Sequence, residues 1–165
     1  MDGENSFRHV LAKSLTKANI ICQPEKYKGD LNEIECSPQS WIALEKIFRK
    51  SGPNSILFIC DYGKRTASFE SLRAIKNHKF VDIFHCPGEC DLSADVDFQK
   101  LKEFIPSSFL IEGPMDQGKF LMDCNIQLRA TQLSASNPKA LQEAHRLVNE
   151  MGQIYQVLLV SPLIK

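Results

Sequence analysis

The sequence predicts an α/β fold of the doubly wound kind, and three features carry that reading. Ile56 to Cys60 is a continuous apolar run, not an alternating one, which suits a strand covered on both faces. A helix signal, Ser37-Pro38 with apolar residues at helical spacing behind it, immediately precedes that run. The same order recurs near the end, where Asn137-Pro138 opens a second helix and Ile154 to Val160 follows as a buried strand.

Taken in order, the first thirty residues carry the weakest patterning. Phe7 to Leu15 and Ala18 to Cys22 read as extended segments, and Gly29-Asp30 as a turn. Ser37 then stands as an N-cap with Pro38 at the first helical position. Trp41, Leu44, Ile47 and Phe48 share one face of a helix over 38–50, Arg49 and Lys50 favour its last turn, and Gly52-Pro53 stops it. A strand over 56–61 follows. Phe69, Leu72 and Ile75 suggest a short helix ending near Asn77, and Asp97 caps another running to about Ile105. Phe109 to Ile111 is a short strand before a Gly113-Pro114 turn. Gln117 to Leu133 reads as helical, with Asn125 as a break point. The helix after Pro138 runs through Glu150 with Leu141, Ala144, Leu147 and Val148 inward, and Met151-Gly152 closes it. Neither a repeat nor a linker interrupts the chain, so one unit is expected to span 1–165.

Composition narrows the function classes. A chain of 165 residues with 43% apolar and 24% charged side chains can bury a core. Twenty basic and twenty acidic residues cancel, leaving no basic field for a phosphate backbone, so no nucleic-acid partner is expected. No apolar run reaches spanning length, so the chain does not read as an integral membrane protein. The segment Met1 to Phe7 carries Asp2 and Glu4 and no basic residue, unlike a secretory signal or a transit peptide. Six scattered cysteines read as free thiols of a reducing compartment. His85, Cys86 and Cys90 lack the further ligands a zinc site requires, so no metal is expected.

In an open α/β sheet, ligands bind beyond the carboxyl ends of the strands, which puts Asp61-Tyr62-Gly63 first. Asp61 can orient a polar ligand, Tyr62 offers a π-face with a hydroxyl, and Gly63 permits a sharp exit. The same residues also fit a capped turn around a partly buried aromatic. From Val81 to Phe98 stand five carboxylates, Asp82, Glu89, Asp91, Asp95 and Asp97, with no lysine or arginine. That tract could rim a pocket for a cationic side chain such as a guanidinium, or be a solvated loop whose aspartates make turns and caps. His78 is a candidate proton shuttle or a capping residue near a helix end, and Gln117 a polar residue at a helix entry. The eight glycines nowhere form a GxG, so the loop that brings backbone up to a dinucleotide-like cofactor is missing from this sequence.

Several strings in order resemble one family, the MidA-type S-adenosylmethionine-dependent methyltransferases. They are Glu35-Cys36-Ser37-Pro38, Ile59-Cys60-Asp61-Tyr62-Gly63, Asn77-His78-Lys79, Pro87 through Phe98, Gln117-Gly118-Lys119-Phe120-Leu121 and Met151-Gly152. The combination of Asp-Tyr-Gly with the Asp91–Phe98 string is the specific part. The resemblance implies the C-terminal portion of a Rossmann-like methyltransferase fold, a mixed sheet with an antiparallel last strand. Strands 56–61, 109–111 and 154–160 would be its fifth, sixth and seventh. It further implies S-adenosylmethionine as cofactor, not bound by this chain alone, and methyl transfer to an arginine of a complex I core subunit in mitochondria. Substrate-side candidates are Asp61, Tyr62, His78, Asp91, Asp95 and Asp97; cofactor contacts are expected outside the chain. Cys86, Cys90 and Asp123-Cys124-Asn125 depart from the family pattern. A sheet lacking its first four strands would have an unpaired apolar edge open to self-association. The other reading is a non-catalytic interaction module that binds a complex I subunit or the full-length enzyme.

Overall fold

The computed structural model describes residues 7–23, 34–64 and 70–163. The expected turn at Gly29-Asp30 lies outside them, as does Phe69. Two sheets organise the chain. The larger is built from β1 (Leu57–Lys64), β5 (Val96–Asp97), β6 (Phe109–Asp116) and β7 (Tyr155–Pro162), in the order β5-β1-β7-β6. β5 runs parallel to β1, whereas β7 runs antiparallel to both β1 and β6. The smaller sheet is antiparallel, with β2 (Arg73–Lys76) between β3 (Lys79–Val81) and β4 (Asp91–Ser93). The expected mixed sheet with its antiparallel last strand is therefore present.

One face of the larger sheet is covered by α2 (Pro38–Lys50) and α3 (Phe98–Glu103). Trp41 and Leu44 from α2 and Phe98 and Leu101 from α3 meet Leu158 and Val160 of β7 in the core, with Leu57 and Ile59 of β1 at its margin. α2 has the bounds the sequence predicts, with Pro38 in its first turn and Arg49 and Lys50 in its last. Its N-cap Ser37 makes no capping hydrogen bond and instead lies 2.9 Å from the Ser40 hydroxyl. Ile47 faces solvent because the inward stripe is centred on Trp41 and Leu44. Asp97 caps α3 as expected, accepting from the Lys100 amide at 2.9 Å.

Several local expectations give way to tertiary structure. Residues 73–81 form a hairpin, not a helix, because Asn77 and His78 both take positive φ (51° and 60°), the geometry of a two-residue hairpin turn. α1 (Lys17–Cys22) replaces the extended segment expected there; a reciprocal capping box between Thr16 and Asn19 starts it. That helix carries Cys22 into the core, where it forms a disulfide with Cys36, so these two are not free thiols. Nothing in a spacing of 14 residues announces the pair. Cys60, Cys86, Cys90 and Cys124 are free.

The span Gln117–Leu133 divides into α4 (Gln117–Asp123) and α5 (Ile126–Ser134), since Asn125 adopts a left-handed conformation between them. Asn137 accepts from the Lys139 amide and α6 (Ala140–His145) follows, continuing as a π-helical turn, Arg146–Glu150. Leu141 and Leu147, expected inward, are exposed; Ala140 is the buried residue of that helix. Close backbone approach explains the Gly118 and Gly152 pair. The Gly118 amide donates to the Gly152 carbonyl at 3.0 Å, and a Cβ at Gly152 would sit 1.8 Å from the Val148 carbonyl oxygen. β6 outruns its expected end, continuing past Gly113-Pro114 through a register shift between Glu112 and Met115.

The strand expected to be covered on both faces is only half covered. Ile56 and Phe58 are 69% and 50% exposed, although Phe58 still meets Phe120 of α4 at 5.3 Å between ring centroids. β1 pairs with β7 from Leu57 to Tyr62. Among the described residues, its other edge is met only at Gly63 and Lys64, by β5.

Candidate functional site

Asp61 and Tyr62 sit near the carboxyl end of β1, where its outer edge begins to be met by β5. Alternation of side chains along a strand sends them to opposite faces. Asp61 lies across from Gln156 of β7, which in turn lies across from Asp116 of β6. Its carboxylate accepts from the Tyr62 amide at 2.7 Å. Gln156 is 4% exposed; its side-chain amide nitrogen donates to Asp116 at 2.8 Å, and its Oε1 has no hydrogen-bond partner among the described residues.

On the opposite face Tyr62 lies directly across from Tyr155, with ring centroids 4.2 Å apart. The hydrogen bond between the two phenols, with burial second, pushes Tyr155 up to about 12. Next along that face, the Cys60 thiol donates to the Gln117 side-chain oxygen at 3.3 Å, and the Gln117 amide donates to the Leu147 carbonyl at 3.1 Å. Burial, followed by the neighbouring Asp61 charge, raises the Cys60 thiol above its ordinary value. Gln117 is thus a buried bridge to the π-helical turn, where its place at a helix entry suggested only a polar end.

Arg73, the first residue of β2, joins the small sheet to this tip. Its guanidinium carbon stands 5.3 Å from the Tyr62 ring centroid, and Nη1 donates to Asp95 at 2.9 Å and to the Ser71 carbonyl at 3.0 Å. Behind the pair, the Ser71 hydroxyl accepts from the Asp95 amide at 2.9 Å and donates to Glu35. Glu35 also accepts from the Ser71 and Leu72 amides, both at 2.9 Å. One network therefore runs from the segment before α2 to the aromatic pair on β1 and β7.

Of the sequence candidates, the fold brings Tyr62 and Asp95 together on Arg73, while Asp61 projects to the other face of β1. Asp97 is half-buried, one step away across from Lys64. Burial raises its carboxyl, against the backbone bonds from Lys100 and Gln99. Asp91 lies exposed on β4 across from Ile75, and His78 is exposed in the β2–β3 turn; no contact among the described residues joins either to Asp61 or Tyr62. Elsewhere in the acidic tract, Glu89 pairs with Lys76 at 2.7 Å and Asp82 accepts from the Phe84 amide at 2.8 Å. Sequence reasoning missed Arg73, Ser71, Glu35 and Tyr155. The first two were hidden by reading residues 69–77 as a helix. The signal for Glu35 was its place in the Glu35–Pro38 string, and Tyr155 could have been found from the register of β7 on β1. No group of three His, Cys, Asp or Glu side chains able to hold a metal occurs among the described residues, and none of the described helices is long and apolar enough to cross a membrane.

A parallel β5–β1 step, a β7 strand inserted antiparallel between β1 and β6, and polar residues at the β1 tip define a Rossmann-like methyltransferase-type sheet. Its likeness to the crystal structure of an uncharacterized protein from Burkholderia thailandensis agrees: the TM-score is 0.75 over 89% of this chain and 43% of that one, at 19% identity. The profile of a S-adenosyl-L-methionine-dependent methyltransferase family matches residues 1–112, and the chain belongs to that family, the MidA type. Among curated proteins it is 30% identical over 171 residues to the mitochondrial protein arginine methyltransferase NDUFAF7 homolog of Drosophila melanogaster, covering 96% of this chain. The Caenorhabditis elegans homolog is 29% identical over 98% of the chain, and human NDUFAF7 28% identical over 76%. The chain spans 38%, 40% and 28% of the length of these three relatives.

Proposed function

We propose that this chain forms the substrate side of a S-adenosylmethionine-dependent protein-arginine methyltransferase, with the cofactor held by residues outside it. The observation that carries the reading is the position of Tyr62 at a strand tip in a chain of this family, sharing the Arg73 guanidinium with a carboxylate, Asp95. A guanidinium is protonated at neutral pH, so methyl transfer to its nitrogen requires carboxylates that orient it and take up a proton. Asp95 is assigned those roles and Tyr62 the aromatic wall, with Asp61 on the other face of β1, and Asp97, Asp91 and His78, as outlying substrate contacts. By analogy with the names of the relatives, the substrate is a protein arginine and the compartment is the mitochondrion; the family resemblance adds that the substrate protein is a complex I core subunit. The absence of any GxG and the share of the relatives' length covered support a cofactor site lying elsewhere.

The test is a chimera in which residues 7–163 replace the matching segment of the Drosophila relative. We expect it to transfer labelled methyl from S-adenosylmethionine to protein arginine, and Asp95→Asn to reduce transfer about a hundredfold or more, the usual scale for losing a proton acceptor. A chimera that binds cofactor but methylates no arginine, or that is indifferent to Asp95→Asn, would remove the assignment. The isolated chain should show no saturable S-adenosylmethionine binding in calorimetry. A second reading is a non-catalytic module binding a complex I subunit or the full-length enzyme, although such a module should blunt the apolar edge of β1 with charge or proline and Ile56 to Cys60 contains neither. Pull-down of such a partner by a chain inert in the chimera would support it.

A further inference from the structure

Arg73 is held in a cradle that has the parts of a guanidinium subsite: the Asp95 carboxylate on one side, the Ser71 carbonyl on another and the Tyr62 ring beneath. A planar guanidinium is matched by just such a combination of in-plane acceptors and an aromatic face. The cradle is pre-formed. Asp95 is fixed through its own amide to Ser71, Ser71 is fixed to Glu35, and Tyr62 is fixed against Tyr155. It is also reachable. The Arg73 and Asp95 side chains are 26% and 16% exposed, and both line an open groove of about 540 Å³ that also carries Glu70, Asp82 and the exposed ring of Phe80. Asp95 lines a second cavity of about 280 Å³ on its other side, next to Glu35 and Asp97. Asp95 lines both cavities, and the carboxylates Glu70 and Asp82 outnumber Lys64, the one cation besides Arg73 on the groove, so a cationic side chain can arrive from outside.

We propose that the Asp95–Tyr62–Ser71 cradle is an arginine-binding subsite whose resting occupant is the chain's own Arg73, which an arginine of a bound protein displaces. Arg73 thereby acts as a built-in competitor. It keeps the carboxylate neutralised and the Tyr62 ring covered until a substrate offers a guanidinium with additional contacts in the groove. This rests on the reading of the site as the substrate side of an arginine methyltransferase, but it concerns occupancy alone and involves no methyl transfer.

The test uses ethylguanidinium as the probe and the whole chain as the protein. In Arg73→Ala the vacated cradle should bind ethylguanidinium saturably, seen as a shift of the Tyr62 ring resonances. The affinity should be at least about tenfold higher than in the unaltered chain, a difference of about 1.4 kcal/mol. Adding Asp95→Asn to Arg73→Ala should abolish the binding. Equal binding with and without Arg73, no saturable binding in Arg73→Ala, or persistence after Asp95→Asn would each overturn the proposal. Should Arg73→Ala fail to fold, Arg73→Lys provides the second measurement, because an ammonium cannot fill the planar cradle. Ethylguanidinium should then compete for Tyr62 where it does not in the unaltered chain, and failure to compete would also overturn it. Neither variant requires cofactor, so the cradle can bind while the chimera stays inactive, and the chimera can be active while the cradle does not bind.

Discussion

β1 and β7 are neighbours, each built on an apolar run, and they end up in different environments. β7 has a strand on each side, and Val157, Leu158 and Val160 are completely buried. β1 has β7 on one side, while along Leu57–Tyr62 its other edge has no strand among the described residues, and Phe58 is half exposed. An apolar run therefore reports what a strand can bury, not what it does bury. The number of neighbouring strands decides the rest.

The largest expected effect breaks this comparison at its buried member. Leu158→Ala should destabilise the fold by about 3 kcal/mol, since it leaves a cavity in the core. Phe58→Ala on β1 should lose only about 1 kcal/mol, because half of that ring is already in water. Urea unfolding of both variants measures the contrast, and equal losses would mean that the β1 edge is covered in solution. Next comes the cap where β5 turns into α3. Asp97→Ala removes the acceptor for the Lys100 amide and should lose about 1 kcal/mol. Its pH dependence has a defined sign. The folded-state carboxyl is raised, so ionising it inside the fold is unfavourable, and that penalty is relieved as pH falls through the folded value. The deficit of Asp97→Ala relative to the parent should therefore widen on mild acidification.

Self-association sharpens the comparison from the open side. A chain with no net charge and an apolar strand whose one edge has no partner among the described residues should form concentration-dependent dimers or larger species in sedimentation velocity. Ile56→Lys, at a position 69% exposed, should reduce them with little change in stability. The smallest effect lies on the paired side, between Tyr62 and Tyr155. Tyr155 is raised from 10.0 to about 12, so the neutral phenol is the form the fold holds. Its contribution is complete below the unfolded value and is lost as pH climbs through that window. Tyr62→Phe removes the leading cause, and the alkaline titration of tyrosine absorbance should move back toward the ordinary value.

Much of the architecture was legible because it depends on local chemistry. Pro38, Trp41 and Leu44 make α2 wherever it packs, and Asp97 caps α3 with its own side chain. The residues misread were those whose state is set from a distance. Phe69, Leu72 and Ile75 have helical spacing, yet the Asn77-His78 turn and pairing with Asp91–Ser93 make 73–76 a strand. Cys22 and Cys36 gave no sign of pairing until a helix formed at 17–22. The candidate site divides the same way. Asp61 and Tyr62 were visible as residues at the tip of an apolar run, whereas Arg73 came from the element misread.

By itself the sequence determined that the chain is α/β, that its sheet has an Asp-Tyr-Gly strand tip, and which family its strings belong to. These follow from side-chain period, caps and residue order, which the chain carries with it. Only the tertiary structure decided that β1 keeps an open edge, that Cys22 meets Cys36, and that Asp95 closes on Arg73 over Tyr62. Those outcomes depend on which segments are brought together across tens of residues, and no local pattern encodes such a meeting.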